Sequence, residues 1–173
     1  VRPSQIPQES VFQFAEYIAG NLGNFSYRNV KYHFGKISEF MSPFVKGRFE
    51  SDTEKRLAEW TERKVDQSFS YDPVKSFDLI NDEHGPKYVV SVSGTRVQYV
   101  EGHSFSETRD VLLVEFRSQG NLTPEKPFIF QIENIEWNVK TEEYKSDERI
   151  SVIYETDTLE NTFVFPKNKV PDN

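Results

Sequence analysis

Apolar side chains recur at the three- and four-residue spacing of amphipathic helices in the first part of the chain. One stripe follows Ser10, a favourable N-cap, and a second ends before the Ser-Pro pair at 42–43. A third helix is predicted at residues 51–69, where Ser51 and Glu54 form a capping box. The first stripe consists of Val11, Phe14, Ala15, Ile18 and Leu22, and the second of Tyr27, Val30, Phe34, Ile37, Phe40 and Met41.

From about residue 74 the pattern changes to alternation of apolar and polar residues, which is typical of β-strands. Strands are expected at residues 74–80, 88–100, 108–118 and 128–139. Three helices followed by four strands predict an α+β domain.

In two of these strands the alternation changes phase. In residues 88–100 the apolar positions are Val90 and Val92 before Gly94, but Val97 and Tyr99 after it. A strand of period two would then place part of its apolar set on the wrong face, unless one extra residue is inserted as a β-bulge. Glycine suits a bulge because positive φ costs it little, so a bulge is predicted at Gly94. The alternative is a kink between two shorter strands.

The last strand repeats this change of phase. Its apolar positions are even up to Ile132 and odd from Ile135, which predicts a second bulge at Asn134. Either bulges or kinks would curve the sheet, and a curved sheet has a concave face that the three helices can fill. The predicted fold is therefore three N-terminal helices packed on a strongly curved four-stranded antiparallel sheet. Such a cone resembles the nuclear-transport-factor and ketosteroid-isomerase fold, which hosts both enzymes and scaffolds.

Composition narrows the classes of function. The chain has 173 residues, of which 15 are Phe, and a net charge of −7 from 21 basic and 28 acidic residues. An acidic balance without a basic run argues against nucleic-acid binding by this domain. The absence of cysteine excludes disulfides and thiol chemistry.

Candidate catalytic chemistry is sparse. The histidines at 33, 84 and 103 are far apart and lack the spacing of metal ligands, and no phosphate-binding glycine loop occurs, so neither a metal nor a cofactor is predicted. Asp110 or Glu115 could serve as a general base inside the cone. An exposed acid on a solvated sheet face is the commoner explanation of both residues.

Four aromatic residues are the predicted partner contacts, because aromatic side chains are enriched at protein interfaces. The alternative is that they pack in the core. The four are Tyr17, Tyr27, Tyr32 and Trp60.

Two segments carry a resemblance to a known family. "FAEYIAGNLGNFSYRNVKYHFGKISEFMSPF" is similar to the first two helices of the periplasmic part of the TraE family, the VirB-type inner-membrane scaffold subunit of conjugative type IV secretion systems. "SVSGTRVQYVEGHSFSETRDVLLVEF" resembles its central hairpin, in which a strand with an internal glycine (Gly94) ends in a second glycine (Gly102). The resemblance spans roughly residues 11–139.

The resemblance implies a location and a role. Residues 1–9 would be a linker after a removed membrane anchor, and residues 10–140 the cone-shaped domain. Residues 141–173 depart from the family's pattern as a C-terminal extension, for which edge strands, an arm or a frayed tail are the alternatives. The domain would lie in the periplasm of a Gram-negative bacterium, as part of a single-pass inner-membrane protein. It would associate with itself, as a dimer or higher oligomer, and with other secretion subunits.

The predicted function is therefore a non-catalytic assembly or scaffold component that takes part in DNA transfer. The alternative is a small-molecule-binding or isomerase-like enzyme on the same cone fold. These two hypotheses differ over the interior of the cone. An enzyme needs a cavity with a carboxylate and a hydrogen-bond donor, whereas a scaffold needs that space filled by Phe side chains.

Overall fold

A computed structural model of the chain describes residues 6–119 and 129–137. The predicted extension at residues 141–173 lies outside these residues, as do the first five residues of the predicted linker. In the described part no helix is long and apolar enough to cross a membrane. The elements, in chain order, are α1 (Gln8–Gly23), α2 (Val30–Ser38), α3 (Pro43–Arg63), β1 (Val65–Tyr71), β2 (Asp78–Asp82), β3 (Gly85–Val100), β4 (His103–Ser118) and β5 (Phe130–Trp137).

The strands form one antiparallel sheet in the order β1-β3-β4-β5, and β2 also pairs with β3. β1 occupies the second half of one edge of β3, opposite residues 94–100, while β2 pairs with residues 85–89. The predicted α+β class, three helices packed on an antiparallel sheet, is confirmed. The predicted strand count is wrong, because the described sheet has five strands.

The additional strand is β1, which lies where the end of the third helix is predicted from the sequence. α3 begins at Pro43, with the Ser42 side chain accepting a hydrogen bond from the Val45 N–H, so Ser51 lies inside the helix and caps nothing. The helix ends at Arg63, and the next residue, Lys64, caps it with a left-handed φ of 57° and ψ of 53°. The next residues alternate between buried and less buried positions as β1 pairs with β3. This long-range pairing overrides the local helical pattern.

Gly94 is not a bulge, contrary to the sequence prediction. The pairing of β3 with β4 is continuous through Gly94, which lies opposite Asp110, and the register shifts only between Gln98 and Tyr99. Even-numbered residues therefore face the core on both sides of the glycine. The glycine is needed for a close approach, since a Cβ there would lie 2.6 Å from the Cα of Tyr71 in β1. β1 could not lie so close to β3 if position 94 carried a larger residue.

The second predicted bulge coincides with an observed register shift. Glu115 lies opposite Asn134 and Phe116 opposite Ile132, so Glu133 is the extra residue of β5. The insertion allows both Ile132 and Ile135 to face the core, as a bulge does.

Aromatic rings fill the space between the helices and one end of the sheet. The ring of Phe14 in α1 lies 5.0 Å from Phe40, 4.8 Å from Phe116 and 5.0 Å from Phe130, between ring centres. The Ile132 N–H donates to the Phe40 carbonyl at 2.9 Å, which fastens the end of α2 to the edge of β5. The edge-to-face contacts of Phe14 with Phe40 and Phe116 add to the stability gained from burial of these rings.

Candidate functional site

Two of the predicted contact residues come together on the surface of α1 and α2. The Lys36 Nζ lies 5.8 Å from the ring centre of Tyr17 and 5.4 Å from that of Tyr32. Tyr32 is 65% exposed and Tyr17 is also exposed. Exposed aromatic rings around a cation combine apolar area with a charge, which suits a protein contact. We call these three residues the tyrosine surface.

His33 lies beside the tyrosine surface and contacts both Tyr32 and α1. Its ring lies 5.6 Å from the ring of Tyr32, and its Nδ1 is 2.9 Å from the Asn21 Oδ1 in α1. Partial burial, with a smaller contribution from Lys36, lowers the pKa of His33 below its ordinary value. The imidazole is therefore neutral at pH 7, and it joins α1 to α2 through a hydrogen bond.

The other two predicted contacts are not part of this surface. Tyr27 is half-buried in the connection between α1 and α2, where its N–H donates to the Asp66 Oδ1 at 2.9 Å. Trp60 is 1% exposed and packs on Phe25, 4.9 Å between ring centres. Trp60 is inaccessible to a partner, so its prediction as a contact residue is wrong. Its position in the helical stripe could not distinguish the inward face of α3 from the outward face.

A groove of about 430 Å³ separates α2 from α3. The buried rings of Phe34 and Phe49 contribute its apolar lining, while Lys31, Glu50 and Glu54 are exposed charged residues along it. This volume is within the range of small-molecule sites, although the groove lies away from the inner face of the sheet.

The inner face of the sheet carries a buried polar cluster that the sequence analysis missed. The Arg96 Nε donates to the Asp110 Oδ2, and the two side chains are only 1% and 7% exposed. The Thr108 hydroxyl donates to the same carboxylate oxygen at 3.1 Å. The guanidinium of Arg96 also lies 5.6 Å from the ring centre of Trp137. Burial of two charges this deep requires pairing of the kind observed here.

Two glutamines extend this cluster toward the helices. The Gln98 Nε2 donates to the Gln67 Oε1 at 2.9 Å, and the Gln67 Nε2 donates to the Gly23 carbonyl at 2.9 Å. A chain of hydrogen bonds thus runs from β3 through β1 to the end of α1. We call Arg96, Asp110, Gln98 and Gln67 the inner polar cluster.

Both candidate general bases, Asp110 and Glu115, are paired with a cation in the structure. Asp110 is buried and held by Arg96 and Thr108, so its charge is already neutralised and it is closed to solvent. Glu115 lies on the outer face of the sheet, paired with the Lys87 Nζ at 3.2 Å. Neither carboxylate has the free, substrate-accessible position of a general base.

Three exposed apolar residues were also missed by the sequence analysis. They are Phe44 at the start of α3 and Leu79 and Ile80 in β2. Phe44 follows a proline at a helix start, a position that carries no apolar periodicity. The alternation at residues 74–80 predicts a strand that contains Leu79 and Ile80, and nothing in the pattern indicates that this strand lies at an edge.

No protein-family model and no curated protein matches the sequence. Solved structures do match. The periplasmic domain of DotI aligns with a TM-score of 0.65 and 12% identity, over 77% of this chain and 96% of that one. The VirB8 protein of Agrobacterium tumefaciens aligns with a TM-score of 0.55 and 11% identity, over 77% and 94%.

A third match is TraE in complex with 2-chloroisonicotinic acid, with a TM-score of 0.53 and 12% identity over 79% of this chain and 98% of that one. Each alignment includes nearly the whole of the solved domain, so the likeness extends over the helices and the sheet together. The chain thus has the nuclear-transport-factor-like fold of the periplasmic domains of VirB8-like proteins of type IV secretion systems.

Proposed function

We propose that the chain is a non-catalytic periplasmic component of a conjugative type IV secretion system. In this role it assembles with copies of itself and with other channel subunits, and a membrane helix outside the described residues anchors it to the inner membrane. The observation that carries the proposal is the likeness in fold, over about three quarters of the chain, to DotI, TraE and VirB8.

The interior of the domain supports a scaffold rather than an isomerase. Phe14, Phe116 and Phe130 occupy the space between α1 and one end of the sheet. At the other end, Arg96 and Asp110 are buried against each other. Interactions with a partner would therefore be made by the outer surface of the domain.

The tyrosine surface is the strongest candidate for such interactions. Tyr17, Tyr32 and Lys36 are brought together from two helices, and both rings remain accessible. Tyrosine side chains have few rotatable bonds, so they lose little conformational entropy on binding and each can contribute a large part of the binding energy. We infer that this surface mediates contact with a second copy or another subunit.

The test is a crosslinking and pull-down experiment on the full-length protein in its native host during DNA transfer. Recovery of channel subunits and loss of transfer on deletion of the gene are the expected results. Recovery of no subunit, with transfer intact, would contradict the proposal.

A double variant locates the contact. Tyr17→Ala with Tyr32→Ala should leave the domain folded, with a small loss of stability from the contact between Tyr17 and Phe40, and should reduce subunit recovery about tenfold or more. The matched control is Phe44→Ala, which removes an exposed ring from a different helix. Equal losses with both variants would show that general surface hydrophobicity, and not the tyrosine surface, carries the contact.

The groove between α2 and α3 favours a second candidate function, the binding of a small aromatic acid. Its volume of about 430 Å³ suits such a ligand, and the exposed Lys31 would pair with the carboxylate against the repulsion of Glu50 and Glu54. The probe is 2-chloroisonicotinic acid, the compound in the TraE complex. Amide chemical-shift changes confined to α2 and α3, lost on Lys31→Glu, are expected. Absence of shifts at millimolar probe would reject this function.

A further inference from the structure

Strand β2 leaves one edge of the sheet without a partner among the described residues. β2 pairs with β3 through all five of its residues, and no other described strand pairs with it. All five side chains are exposed. The backbone N–H and C=O groups on its outer side therefore have no strand partner among the described residues, which is the arrangement that receives an added strand.

The side chains of β2 do not protect this edge in the usual way. Natural edge strands commonly place a charge or proline at their centre. Here the centre is Leu79 and Ile80, which are 51% and 41% exposed. Leu79 lies opposite Tyr88 and Ile80 opposite Lys87, so the two aliphatic side chains lie on opposite faces of the sheet. An incoming strand would meet an apolar side chain on either face.

Both ends of β2 are fixed in place before any partner arrives. The ring of Phe77, one residue before the strand, lies 5.4 Å from Tyr88 and 5.9 Å from Phe12. At the other end, the Asp82 carboxylate accepts from Arg117 at 2.7 and 2.9 Å. A strand held at both ends loses little conformational entropy when it pairs.

Charge indicates what kind of segment pairs with β2. Asp78 and Glu83 are exposed acids on either side of the aliphatic pair, and the whole chain carries a net charge of −7. The register that pairs all five residues of β2 with a second copy places Asp78 opposite Asp82, which Arg117 already binds, so a second copy supplies no basic partner for Asp78. A strand with basic ends supplies such a partner and is steered toward the acidic edge.

We propose that the outer edge of β2 receives an extended segment of another protein, aliphatic at its centre and carrying lysine or arginine at its ends. The backbone of β2 supplies the hydrogen bonds, Leu79 and Ile80 supply apolar contacts on the two faces, and Asp78 and Glu83 select the charge. This edge is separate from the tyrosine surface, and the inference does not depend on the proposed secretion function.

The experiment measures binding of an array of seven-residue peptides to the purified chain by fluorescence anisotropy at low salt. The five central positions alternate Val, Ile or Leu with Thr or Ser, and the two ends are both Lys, both Gln or both Glu. We expect Lys-ended peptides to bind about fivefold more tightly than Gln-ended ones, and Glu-ended peptides to bind most weakly. Amide chemical shifts should change at residues 78–82.

Three variants make the result specific to β2. Leu79→Ser with Ile80→Ser should abolish binding while leaving the fold intact, because both side chains are exposed. Asp78→Lys should reduce the preference for Lys-ended peptides and strengthen the binding of Glu-ended ones. Glu107→Lys, which changes an exposed acid on β4, is the matched control and should leave the preference unchanged.

Several results would overturn the proposal. The first is that no peptide of the array binds. The second is that peptides still bind the double serine variant, and the third is that Asp78→Lys leaves the preference for Lys-ended peptides unchanged. Sedimentation velocity adds one more: a dimer of the unmodified chain that the double serine variant dissociates would show that a second copy occupies β2.

Discussion

Arg96 and Arg117 lie in neighbouring strands of one sheet, and each bonds to a carboxylate from another strand, but on opposite faces. Arg96, on the inner face of β3, is 1% exposed and pairs with the buried Asp110 of β4. Arg117, on the outer face of β4, pairs with Asp82 at the end of β2 and with Glu133 of β5 at 2.6 Å, and both acids remain partly exposed.

The two arginines differ in the surroundings of the carboxylate that remains when the arginine is removed. Without Arg96, the buried Asp110 carboxylate has no water to replace the lost ion pair. Without Arg117, the partly exposed carboxylates of Asp82 and Glu133 are hydrated by solvent. The same pair of residue types therefore determines the stability of the fold on one face and mainly the position of two edge strands on the other.

The largest effect is expected from Arg96→Ala. It leaves Asp110 as a buried charge without its counter-ion, so the free energy of unfolding should fall by about 3–5 kcal/mol. Equilibrium unfolding in urea, followed by tryptophan fluorescence, measures the loss.

Arg96→Met combined with Asp110→Leu is the control for this first prediction. Removing both charges together should restore stability to within about 1–2 kcal/mol of the unmodified chain. A double variant as unstable as Arg96→Ala would show that the packing of the arginine, and not an unpaired charge, carries the effect.

Gly94→Ala tests the close packing beside the inner pair. Its added Cβ would meet the β1 backbone at Ser70 and Tyr71, and backbone cannot move aside as a flexible side chain can. We expect a loss of about 1–3 kcal/mol in the free energy of unfolding. Gly47→Ala, at a helix position where a Cβ meets nothing within 4 Å, should not destabilise the domain. An equal free energy of unfolding for both variants would mean that β1 and β3 are not closely packed at Gly94.

A smaller effect is expected from Arg117→Ala. Asp82 and Glu133 retain contact with water, so the loss of stability should be less than half of that caused by Arg96→Ala. Its main consequence should be faster amide exchange in β2 and in residues 130–134 of β5, measured by hydrogen–deuterium exchange. A loss as large as that of Arg96→Ala would remove the contrast between the two faces.

The smallest effect concerns the acid limb of the stability profile. The hydrogen bond from Arg117, and then that from the His84 N–H, lower the pKa of Asp82 from 3.8 to about 2. Because the pKa in the folded state is the lower one, this carboxylate stabilises the fold above about pH 4, and the contribution is lost as the pH falls toward 2. A carboxyl NMR titration should show the depressed pKa, and Arg117→Gln should raise it. An unchanged pKa in that variant would contradict the assignment.

The sequence predicted the helical layer and the aromatic interior better than it predicted the polar half of the sheet. The stripe from Val11 to Leu22 follows one helical face. Its residues are buried along α1, except that Phe14 is partly buried. In β3, Val97 and Tyr99 are apolar and suggested an inward face, but Arg96 and Gln98 face inward instead. Those two are stabilised inside by Asp110 and Gln67, partners 14 and 31 residues away, which no local pattern can reveal.

The assignments of Trp60 and β1 failed for a related reason. The sequence around Trp60 fits a helix with either face inward, and only packing against Phe25 and Phe34 determines which face is buried. Residues 65–69 continue a helical pattern, and their pairing with residues 96–100 of β3 overrides it. Tyr17 and Tyr32 lie on one surface, and their role as partner contacts stays a prediction. The position of Lys36 beside both rings depends on the packing of α1 against α2.

Arg117 also determines how the sheet responds to mechanical load. An edge strand held only by its ladder can be peeled away one pair at a time under tension. The bonds from Arg117 to Asp82, to the Gly85 carbonyl at 2.8 Å and to Glu133 link the end of β2 to β4 and β5 across the intervening β3. A force pulling on β2 is therefore shared across four strands, and several bonds must rupture together before the edge detaches.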